Sequence, residues 1–138
     1  MCLDRFLDDL EIEFEEIFWR DDPDRILAER IGKLQIAAKS AEAAIARHNA
    51  TIEKLECRIA PLRQLESNLS EHVEIYIYVG DRANAWRRAL ELDRVRGELA
   101  ALGRQISLEQ QRRQTDADKL EEIQADISSL RGSLAARI

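Results

Sequence analysis

The 138-residue sequence is poor in the residues that make turns: it has five glycines and two prolines. A sheet protein needs frequent turns and many β-branched and aromatic side chains, yet aromatics amount to 5% here. A β-rich fold is therefore not expected. Cysteine is equally scarce. Cys2 and Cys57 cannot build a disulfide framework and read as free thiols of a reducing compartment. No apolar run approaches the ~20 residues of a membrane-spanning helix. The acidic first residues lack the basic start of a secretory leader, so a cytoplasmic location is expected. Glycine-rich phosphate loops, H-E-x-x-H and C-x-x-C are all missing. Serines are present, but a nucleophile needs a base held beside it in a pocket. The sequence thus predicts no enzymatic activity, no cofactor and no metal.

What is present is helix-forming. Ala, Glu, Lys, Leu and Arg make up just over half of the chain, and 35% of residues are charged. That composition points to long helices or a coiled coil, and the length allows one domain at most. The net charge of −6 disfavours nucleic acid as a partner. A basic cluster (Arg82, Arg87, Arg88, Arg94 and Arg96) is interleaved with Glu91, Asp93 and Glu98, which weakens it as a phosphate-binding stripe.

The acidity is concentrated at one end. Residues 1–24 carry ten carboxylates against Arg5 and Arg20, whereas the rest of the chain is slightly basic. Leu3, Phe6, Leu7, Leu10, Phe14, Ile17 and Phe18 recur at spacings of three and four, with Trp19 following. This places an apolar stripe on one helical face and most acids opposite it. Residues 1–19 therefore read as a separate acidic amphipathic helix that contacts a membrane or a partner. Asp22 can cap the next helix, Pro23 suits its first position, and Asp24 favours its positive end.

From Leu27 a seven-residue apolar repeat sets in. Its a positions run Ile31, Ala38, Ile45, Ile52, Ile59, Glu66 and Val73; its d positions run Leu27, Leu34, Ala41, His48, Leu55, Leu62, Leu69 and Tyr76. Gly80-Asp81 is a stop-and-turn signal. A second repeat then runs from Ala85, with Leu92, Leu99, Ile106, Arg113, Leu120, Ile127 and Leu134 at a. Val95, Leu102, Glu109, Asp116, Ile123, Leu130 and Arg137 occupy d. Folded antiparallel, Leu69 meets Leu92, Leu62 meets Leu99, Leu34 meets Ile127 and Ile31 meets Leu130. The midpoint of every such pair falls between Gly80 and Asp81, where the turn signal lies. The expectation is an all-α fold: a long antiparallel coiled-coil hairpin plus the separate N-terminal helix. Its helices span 22–79 and 82–138 around a turn at 80–81, each reaching on the order of 80 Å at 1.5 Å per residue. Pro61, at an outward position, is expected to bend the first helix.

Two features interrupt this pattern. His48, Glu109, Arg113 and Asp116 fall together in mid-hairpin, where His48 faces Arg113 and Arg113 satisfies the two carboxylates. Such a layer fixes register at some cost in stability; a pH switch on His48 is the alternative. At the tip, Ile75, Ile77 and Tyr78 lie off the seam and Trp86 joins them across the turn, as a contact patch would.

The layout resembles the phage shock protein A family, bacterial relatives of ESCRT-III. Asp21-Asp22-Pro23-Asp24-Arg25-Ile26-Leu27 is similar to the family's helix start. Gly80-Asp81-Arg82-Ala83-Asn84-Ala85-Trp86-Arg87-Arg88-Ala89-Leu90 is similar, with one extra residue, to its hairpin-tip motif. The resemblance implies a non-enzymatic membrane-stress protein that binds the inner membrane peripherally through its N-terminal helix and self-assembles. It also implies, as an alternative, a soluble regulator whose hairpin inhibits an AAA+ transcription activator or caps longer paralogues. A third reading is a purely structural coiled-coil oligomer. Two departures stand out: the chain ends where the family continues into further helices, and interfacial helices usually carry basic rather than acidic polar faces. The N-terminal helix could instead dock on a basic protein surface or on its own hairpin.

Overall fold

The computed structural model describes residues 22–137. Two helices account for nearly all of them: α1 (Pro23–Tyr78) and α2 (Arg82–Arg137), folded back on each other as an all-α, coiled-coil-like hairpin. The amphipathic segment 1–19 lies outside the described residues.

Both starts and the turn are locally encoded. The Asp22 carboxylate accepts the Asp24 N–H at 3.1 Å, and its carbonyl accepts Ile26 N–H at 3.2 Å, so Pro23 opens α1 where no donor is needed. At the other end Asp81 N–H reaches back to the Tyr76 carbonyl (2.9 Å) and Gly80 N–H to that of Ile77 (3.1 Å). This paired closure requires a left-handed residue, and Gly80 supplies it at φ 79°. Asp81 then caps α2: its carboxylate accepts Asn84 N–H at 3.2 Å and the Asn84 side-chain amide at 2.6 Å. One residue thus ends the first helix and begins the second.

Every described a and d position of the two repeats is buried or half-buried. Ile36, Leu65 and Leu108, which sit off the seam, are exposed. The chain packs as two compact units. In the first, made of the arms below Ala44 and beyond Asp116, Ile31, Leu34, Ala38, Ile123 and Ile127 form one cluster, flanked by Ala37, Leu120, Leu130 and Leu134. In the second, Ile45–Thr115, Leu69, Leu92 and Val95 cluster with Leu62 and Leu99 beside them. Apart from Ala37, the members of both clusters are a and d residues of the two repeats. α1 continues unbroken through Pro61, which is exposed, so the missing backbone donor does not end the helix. Among the described residues, no helix is long and apolar enough to cross a membrane.

Candidate functional site

The tip is built by the turn. The tight closure at Gly80 ends α1 with its last residues still helical, so side chains off the seam there have no second helix to cover them. Ile75, Ile77 and Trp86 are each more than half exposed, and Tyr78 is 92% exposed. Val79 and Leu90, which the repeat alone does not single out as contact residues, extend the patch. Val73, Ile77, Ala85, Trp86 and Ala89 line a groove of about 450 Å³ beside Gly80 and Arg82. Ala85, Trp86 and Ala89 share one face of α2, whereas Val73 and Ile77 share one face of α1. Such a groove can seat apolar side chains, and its only charged lining residue is a cation.

The second site is the polar layer, and here the structure corrects the expected contacts. His48 Nδ1 lies 2.7 Å from Glu109 Oε2. A carboxylate can only accept, so Nδ1 carries the proton. Arg112, one turn along α2, donates to the other oxygen of Glu109 at 2.9 Å. Glu109 is thus served by His48 and Arg112 rather than by Arg113, which donates to Asn49 Oδ1 at 2.9 Å. The long Arg113 side chain carries the guanidinium past the seam to the next residue of α1. Asp116 is half-buried at its d position and belongs to the other unit. Asn49 and Arg112 were not legible as partners, because heptad spacing assigns faces and not the reach of flexible side chains.

The His48 hydrogen bond is the main reason that Glu109 titrates below the usual carboxylate range. Partial burial opposes it, and the hydrogen bond and charge of Arg112, then the charge of His48, add to it. Because the unfolded chain takes up this proton at higher pH than the folded one, the stabilisation is intact above the ordinary carboxylate range. It is lost as pH falls through the lowered folded value. In thermal melts from neutral pH downward, Glu109→Gln is expected to flatten this acid limb. An unchanged limb would show that the His48–Glu109 pair contributes nothing to it.

Cys57 is a free, exposed thiol on α1. Comparison with protein-family models, with curated proteins and with solved structures finds no match.

Proposed function

We propose that this chain is a non-enzymatic docking protein of the phage-shock kind: it associates peripherally with the inner membrane and self-assembles, presenting surfaces rather than a reactive centre. The observation that carries this reading is where the apolar side chains lie. Among the described residues, the buried apolar side chains other than Ile26 are a and d residues of the two repeats, and large apolar groups of the tip face solvent. One seam buries little, which favours assembly with further copies. The stripe Leu3, Phe6, Leu7, Leu10, Phe14, Ile17 and Phe18 supplies the lipid contact in this reading.

Co-sedimentation with vesicles tests it. The full chain is expected to pellet with vesicles, and a chain starting at Arg20 is not. Equal behaviour of the two would sink the membrane role of residues 1–19. The exposure of Tyr78 and Trp86 favours a second reading, a lipid-independent adaptor that restrains an AAA+ partner through the tip. In that case binding to such a partner follows Tyr78→Ala and Trp86→Ala, and vesicles are irrelevant.

A further inference from the structure

The two sides of the hairpin tip are not alike. In an antiparallel pair the e positions of both helices flank the seam on one side and the g positions on the other. Ile77, Arg82 and Ala89 are e residues and Trp86 is a b residue, so the tip groove opens on the e side, within the unit Ile45–Thr115. Tyr78 and Leu90, at the outward f positions, stand at its two edges, whereas Ile75 and Val79 belong to the other side. The groove side also carries one charge of each sign. Glu74 lies one turn before Ile77 on α1, Arg82 opens α2, and both are exposed. The helix dipole disfavours a cation at that start, so α2 itself gives no reason for Arg82.

We propose that the groove side of the tip is a self-complementary surface whose occupant is the tip of a second copy, related by a two-fold axis. Three observations select that occupant. The first is shape. Gly80, Ala85 and Ala89 leave the groove of about 450 Å³ open beside the Trp86 indole, which is 67% exposed. The surface thus holds both a knob and a hole, and a two-fold axis brings each knob to the other copy's hole. The second is charge. The same axis can set Glu74 of each copy against Arg82 of the other, whereas a surface of one sign would repel itself. The third is area. Tyr78 and Trp86 expose about 300 Å² by themselves. With Ile77, Leu90, the groove floor and the flanking charges, the tip offers roughly 600 Å² per chain, the lower end for a specific pair. The pairing is therefore weak and reversible. It names a surface for the self-assembly proposed above and rests on that reading.

Sedimentation velocity of the full chain over a concentration series tests the pairing. The expected result is a reversible monomer–dimer step. Trp86→Ala and, separately, Ile77→Asp should raise its dissociation constant at least about tenfold. Thermal melts of the dilute variants should barely move, because both side chains are exposed. Glu74→Arg alone and Arg82→Glu alone should each weaken the pair severalfold. The two together should restore it, a rescue that loss of fold would not produce. In a Trp19→Phe chain, the emission of Trp86 should shift to the blue over the same concentrations. A chain that stays monomeric at every concentration would overturn the pairing and the self-assembly reading together, leaving the groove to a chain of other sequence. Self-association that Trp86→Ala and Ile77→Asp leave unchanged would overturn the tip pairing alone and move the contact elsewhere. A charge exchange that fails to rescue would overturn the two-fold arrangement.

Discussion

Replacing Leu34 by alanine is expected to destabilise the hairpin by about 3 kcal/mol, near the middle of the range for a leucine removed from a packed core. Leu34 is 1% exposed and sits at the centre of the cluster with Ile31, Ala38, Ile123 and Ile127. The cavity has little room to collapse, because its walls come from two helices whose backbones are fixed by their own hydrogen bonds. The internal control is Ile36, two residues on and 69% exposed; Ile36→Ala should change stability by less than about 0.5 kcal/mol. Denaturant unfolding of both variants checks the heptad assignment directly. Equal losses would mean that the seam does not run where the repeat places it.

Phe14→Asp combined with Phe18→Asp is expected to abolish vesicle binding. Burying a phenylalanine side chain is worth ~2–3 kcal/mol, so losing two contributes about 4 kcal/mol or more, a fall in partitioning beyond about a hundredfold. The carboxylates gained add repulsion from anionic lipid. Trp86→Ala, at the tip, should leave vesicle binding as it was. A vesicle titration that followed Trp86 and ignored Phe14 and Phe18 would move the lipid contact from the N-terminal segment to the tip.

Much of this architecture was legible in the residues because a heptad repeat is a direct statement of which face is buried. Leu34, Leu69, Val95 and Ile127 are found in the seam, and the Gly80-Asp81 signal is the turn. The exposed tip was legible for the same reason: Ile77, Tyr78 and Trp86 fall outside the repeat. The polar layer was legible only as a place. Which donor serves which carboxylate depends on side-chain reach, so Glu109 is served by His48 and Arg112 while Arg113 passes on to Asn49. Ile26 is buried although the repeat places it outside the seam, and heptad spacing gives no sign of it.

The most direct measurement is co-sedimentation of the unaltered full chain with neutral and anionic vesicles, at neutral and at mildly acidic pH. If an apolar face on an acidic segment carries the chain to lipid, neutral vesicles should pellet it at least as well as anionic ones at neutral pH. Acidification should close that gap as carboxylates take up protons. No pelleting on either vesicle at either pH would contradict membrane association of this chain.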